Sequence, residues 1–175
     1  LTAGYGLPQE DSFPAALESH LQEMGRNVTV RNGGVSGDTT AGGRARLAWA
    51  LNPRPDVVIL ELGANDALRG LPPQHAFTNL KAMIKTLQKQ KIPVLLAGMK
   101  APRNYGPEYA AEFDGIYPRL AQETGVLLYP FFMEEVFSRP EMLQPDGLHP
   151  TAKGVQLIVA AILPDVLAVL DRDHP

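Results

Sequence analysis

Two alternating apolar patterns constrain this chain more than any other feature. Residues 27–31, 57–62, 94–97 and 126–129 are short runs rich in β-branched and aliphatic residues, the pattern of strands. The second and third runs are nearly uninterrupted, as expected of strands covered on both faces of a parallel sheet. Between the runs, apolar residues recur at helical spacing. Phe13, Leu17, Leu21 and Met24 form one face, with Ser12 placed to cap the start and Gly25 to stop the end. Residues 40–51, 75–90 and 108–124 also read as helices. The last helix is the clearest, a stripe of Val155, Ile158, Val159, Ile162, Leu163, Val166, Leu167 and Leu170 that Pro164 kinks without ending. Alternation of this kind predicts an α/β fold of three layers, α/β/α, around a doubly wound parallel sheet.

The 175 residues suit one domain, 1–175, and no repeat or linker divides them. A hydrophobic share of 45% excludes overall disorder. Sixteen Lys and Arg against nineteen Asp and Glu, with no basic run, argue against nucleic acid as a partner. Apolar stretches fall short of the roughly 20 residues that span a bilayer, so no stable membrane insertion is expected. The absence of cysteine removes disulfides, thiolate metal sites and a cysteine nucleophile. Residues 1–8 read as a loop, and no signal peptide is legible from Leu1 onward. Neither compartment nor oligomeric state can be read from these residues.

Ligands of doubly wound sheets bind outside the carboxyl ends of the strands. There the chain places Asn32-Gly33-Gly34-Val35-Ser36-Gly37-Asp38, then Gly63-Ala64-Asn65-Asp66, then Gly98 to Gly106, and finally Asp146-Gly147-Leu148-His149-Pro150. A carboxylate at Asp146 can accept from the Nδ1–H of His149, which leaves Nε2 as a general base. The Asn65 amide can donate to a developing oxyanion, and the Gly37 N–H, with no side chain over it, can approach a substrate oxygen closely. Each feature alone is equally an ordinary turn or helix cap. Their joint occurrence along one sheet edge points to chemistry.

In that order the blocks resemble those of the SGNH hydrolases, the GDSL esterase/lipase group, and within it the small bacterial arylesterase and thioesterase/lysophospholipase branch. The resemblance runs from Leu1 to about Leu170. Gly37 matches the second block, Gly63-Ala64-Asn65-Asp66 the third and Asp146-Gly147-Leu148-His149 the fifth. Leu1-Thr2-Ala3-Gly4-Tyr5-Gly6 matches the stretch just after the serine of the Gly-Asp-Ser-Leu block. The resemblance therefore implies a flavodoxin-like sheet of about five strands, with the first strand and the nucleophilic serine upstream of Leu1. It implies a periplasmic or secreted setting and no cofactor. Of the serines present, Ser12, Ser19, Ser36 and Ser138, only Ser36 lies at a strand end, and position 38 is Asp rather than the Gly of Gly-x-Ser-x-Gly.

The implied activity is hydrolysis of a small-molecule ester through an acyl-enzyme, with Asp146 and His149 completing a triad and Gly37 and Asn65 the oxyanion hole. Aryl or short to medium acyl esters, thioesters and lysophospholipids are the candidate substrates. Leu68, Leu71, Met99, Tyr105 and Leu148 are the candidate lining of the acyl or aryl pocket, and Arg69 and Arg103 either face an anionic substrate portion or solvent. Two alternatives stand beside this reading. A metal-dependent hydrolase can use Asp38, Asp66, Asp146 and His149, although His20, His75, His149 and His174 show no metal-ligand spacing. A nucleotide- or flavin-binding module can use Gly33-Gly34-x-x-Gly37, which lacks the Gly-x-Gly-x-x-Gly form.

Overall fold

The computed structural model describes residues 1–173. Its helices and strands run α1 (Phe13–Glu23), α2 (Thr40–Ala50), β1 (Val58–Glu61), α3 (Ala64–Leu68), α4 (Pro73–Lys89), β2 (Val94–Ala97), α5 (Pro107–Asp114), α6 (Ile116–Thr124), β3 (Leu127–Tyr129), α7 (Glu134–Phe137) and α8 (Ala152–Leu170). Two compact units are distinguishable. One comprises Leu1–Ser36 with Met133–Pro164, and the other Gly37–Phe132 with the segment from Asp165.

The second unit holds the sheet. Its strands are parallel in the order β1-β2-β3, with Leu60 opposite Leu96 and Leu96 opposite Leu128. All four β2 residues are buried, which is why that run is apolar without alternation. Helix α4 packs on α2 and α6, and presents Ala76, Phe77, Leu80, Met83, Ile84 and Leu87 as its buried face. Parallel pairing directs Glu61, Ala97 and Tyr129 to one edge, so the next segments all leave from there. Gly98 seals that edge: its N–H donates to Tyr129 O, and its carbonyl accepts from Phe132 N–H. The α/β class expected from the alternation is the class observed, with three strands among the described residues.

In the first unit, α1 begins after Ser12, whose hydroxyl donates back to Gln9 O rather than capping the helix. Its end is the expected one. Gly25 takes φ +80°, Gly25 N–H donates to Gln22 O and Arg26 N–H to Leu21 O, a complete Schellman stop.

Two expectations need correction, and the passage of the last helix through Pro164 is as expected. Residues 27–31 form no strand, because Val28 N–H turns back to Arg26 O and Val30 N–H donates to the Glu18 carboxylate, so these donors are met locally instead of by a ladder. The expected helix 108–124 is two helices divided at Gly115. Pro118 explains the break: it has no N–H to donate to Asp114, and a first turn, which α6 provides by restarting at Ile116, accommodates it without that bond. Finally, α8 passes through Pro164 as one helix of 19 residues, long and apolar enough by length and composition to cross a membrane. Its Val155, Ile158, Val159, Ile162, Val166 and Val169 are nonetheless buried within the protein, as in a core helix, whereas Leu163 and Leu167 of the expected stripe are half-buried.

A Cβ at Gly98 would lie 2.1 Å from Pro130 O, a backbone atom that has no room to yield. Gly98→Ala is expected to destabilise the protein by about 1–3 kcal/mol, as overpacking does. Urea unfolding checks this, through a lower midpoint with an unchanged slope.

Candidate active site

The segment before α8 is a tight loop knotted by its own polar groups. Gly147 turns it at φ +67°, Gly147 N–H donates to Gln144 O, and Gln144 N–H donates to His149 O at 2.7 Å. One carboxylate organises the rest. Asp146 Oδ1 accepts from Leu148 N–H at 2.9 Å and His149 N–H at 3.0 Å, and Oδ2 lies 2.7 Å from His149 Nδ1. The backbone N–H groups of His149 and Leu148, then the imidazole, hold the Asp146 carboxyl down at about 2 from its ordinary 3.8. An ionised carboxylate only accepts, so Nδ1 carries the proton and Nε2 presents a lone pair.

The N-terminal loop of the same unit meets this histidine. The Tyr5 ring lies 4.7 Å from the imidazole, centroid to centroid. Gln144 links the two segments: its Nε2 donates to Tyr5 O at 2.8 Å and to Pro150 O at 2.9 Å. Gly6 and Gly34 allow the close approaches. A Cβ at Gly6 would strike Gln144 Oε1, and one at Gly34 would lie 2.6 Å from Ala3 N. The residues after Leu1 are thus seated against both the histidine loop and the loop at Gly34.

In the sheet unit, the turn after β1 carries Asn65 on α3. Gly63 makes the turn at φ +119°, where a Cβ would lie 2.1 Å from Tyr117 Oη. Asn65 Nδ2 donates to Asp38 O at 2.9 Å, which leaves the second amide N–H for another acceptor. Gly37 is exposed at φ +77°, and its carbonyl accepts from Arg69 Nη2 at 2.8 Å. Asp66, next to Asn65, is buried and binds Thr40 at the head of α2. A row of aromatic rings runs along this flank from Tyr105 through Tyr109 and Phe113 to Tyr117. Three of its hydroxyls hold carbonyls after β1: Tyr105 that of Leu68, Tyr109 that of Leu71 and Tyr117 that of Leu62. Burial pushes the Tyr117 hydroxyl well above its ordinary pKa and keeps it a donor.

The structure therefore brings Asp146 to His149 in one unit, and Gly37 to Asn65 in the other. Leu68, Tyr105 and Leu148 are exposed, Leu71 is half-buried and Met99 is buried. Arg103 pairs with Asp114 at 2.9 Å. Asp38, a candidate metal ligand, is tied to Arg46 at 2.6 Å. His174 lies outside the described residues. Among the described residues no three His, Asp or Glu side chains cluster to hold a metal ion. Tyr5, Gln144 and the tyrosine row carry no local sequence signature of their roles. Those roles come from contacts as distant as Tyr5 to Gln144, although three tyrosines within residues 105–117 are a visible signal.

The chain is similar over most of its length to known lipases, acylhydrolases and esterases. The profile of the GDSL-like lipase/acylhydrolase family matches residues 1–157. The chain is 47% identical over 151 residues to an arylesterase of Vibrio mimicus, covering 86% of this chain and 76% of the relative. It is 40% identical over 151 residues to thioesterase 1/protease 1/lysophospholipase L1 of Escherichia coli K12, covering 86% and 71%. Among solved structures, the psychrotrophic esterase EstA from Pseudoalteromonas sp., inhibited by monoethylphosphonate, superposes with a TM-score of 0.92 at 32% identity, over 98% of this chain and 94% of that one.

The lowered Asp146 value has a measurable consequence. Its contacts stabilise the loop fully above the ordinary value of 3.8, and that contribution is lost as pH falls through about 2. An NMR titration of the Asp146 carboxyl is expected to show a midpoint near 2, and a midpoint at 3.8 or above would mean that the three donors do not hold it.

Proposed function

The chain belongs to the GDSL-like lipase/acylhydrolase family and is an ester hydrolase, and from that premise we propose that it works through a serine nucleophile, His149 and Asp146. The nucleophile in this reading is the serine of the family's Gly-Asp-Ser-Leu block, whose leucine is matched by Leu1. The observation that carries the reading is the Asp146–His149 pair, with Nδ1 engaged at 2.7 Å and the ring against Tyr5, four residues along from Leu1.

The serine Oγ attacks the ester carbonyl carbon while Nε2 of His149 takes its proton. Asp146 stabilises the imidazolium and keeps the ring in one tautomer. The carbonyl oxygen becomes an oxyanion, for which the reading assigns the Gly37 N–H, the Asn65 amide and the serine N–H as donors. Collapse of the tetrahedral intermediate expels the alcohol, phenol or thiol, which receives the proton from His149. Water then attacks the acyl-enzyme with the same histidine as base, releasing the acid and restoring the serine. The substrates are aryl esters or short to medium acyl esters, with thioesters and lysophospholipids in the same class. Leu68, Leu71, Tyr105 and Leu148 border the apolar portion in this reading.

A fluorophosphonate probe followed by peptide mapping is expected to label the serine preceding Leu1. A label on Ser36, or no label on an active preparation, overturns the assignment. Asn65→Ala is expected to lower kcat on a p-nitrophenyl ester about 10²–10³-fold, the usual effect of losing one oxyanion donor. His149→Ala should abolish turnover, and Asp146→Asn should impair it strongly through the wrong tautomer. Full activity in either variant removes the pair from the mechanism.

A further inference from the structure

We infer that Asp66 is a positioning residue for the oxyanion donors, acting through Thr40; the inference rests on the roles proposed for Gly37 and Asn65. The Asp66 side chain is 2% exposed and Thr40 is fully buried. A carboxylate withdrawn from water is costly unless its oxygens are hydrogen-bonded. One residue meets that need here. Thr40 N–H donates to Oδ2 at 2.8 Å and the Thr40 hydroxyl donates to Oδ1 at 2.6 Å. The hydroxyl accepts in turn from Asn79 Nδ2 at 3.2 Å, so its own proton is committed to Asp66.

The positions of these bonds in the chain matter. Thr40 is the first residue of α2, and Asp66 belongs to α3 immediately after Asn65. Asn65 reaches Asp38 O at 2.9 Å while Asp66 holds Thr40. Two consecutive side chains of α3 therefore grip the segment 38–40, and Gly37 is the residue immediately before it. Helix α3 has only five residues and cannot hold a fixed orientation by its own hydrogen bonds. The buried carboxylate supplies the rigid connection between the element bearing the amide and the element bearing the glycine N–H. Oxyanion donors act only when set within a few tenths of an ångström of the charge that develops, and a misplacement of about 1 Å costs on the order of 10²-fold in rate.

Asp66→Asn tests this. It preserves shape and one acceptor oxygen, but places an amide N–H₂ where the second Thr40 donor requires an acceptor. We expect kcat on a p-nitrophenyl ester to fall about 10- to 100-fold with KM changed less than about twofold, because the lost interaction is made in the transition state. Thr40→Ser, which keeps both donors, should retain kcat. Thr40→Val, which keeps only the N–H, should fall between the two and serves as the test if Asp66→Asn does not fold by circular dichroism. In an Asn65→Ala background, either damaging variant should cost less than it does alone, since one of the two donors it positions is already gone. A folded Asp66→Asn or Thr40→Val with unchanged kcat overturns the inference, as do effects that multiply fully with Asn65→Ala. An unchanged kcat in Asn65→Ala alone would instead sink the oxyanion reading itself, so the two failures are distinguishable.

Discussion

The sheet unit depends on one constraint, that β2 has no side facing water. A strand buried along its whole length must be apolar and must pair on both edges. Parallel pairing with β1 and β3 meets that demand and has a second effect. It sends every subsequent segment off at one edge, so the polar residues excluded from the strands collect there without any one of them having to favour the location. Gly63 and Gly98 are the small residues that let the chain turn away from that edge, the first beneath a buried tyrosine hydroxyl and the second against a backbone carbonyl. The division between an apolar interior and a polar rim is thus a consequence of strand pairing.

Two carboxylates of this molecule, Asp146 and Asp66, are handled differently. Asp146 remains partly exposed and is held by two backbone N–H groups and an imidazole, which keeps it charged and able to orient a ring. Asp66 is withdrawn from solvent and committed to the backbone and hydroxyl of a single threonine, which suits it to joining two elements. The two obey the same local chemistry, a short side chain satisfied by nearby donors, but they differ in what lies at the other end of the bond. In one case it is a side chain with a free nitrogen and in the other a helix start.

Much of this is legible in the sequence. The apolar runs at 57–62, 94–97 and 126–129 fall on the three strands, and the Gly25 stop and the Asp146–His149 pair arise from local patterns that need no distant partner. The departures have separate causes. Residues 27–31 have strand composition, yet a strand exists only by pairing, and the Val28 and Val30 donors are met by Arg26 and Glu18. The break at Gly115 is hidden because helical spacing continues across it, while Pro118 carries the signal that a helix has to start anew. Gln144 is invisible for a different reason. Its grip on Tyr5 spans 139 residues, and nothing in the local composition marks one glutamine as a bridge.

The row of tyrosines beside the turn after β1 has a consequence for what can be housed there. The carbonyls of Leu62, Leu68 and Leu71 each already accept a phenolic proton. A greasy guest settling over this stretch would strip little hydration from the main chain beneath it, because phenols have taken the place that water would otherwise hold.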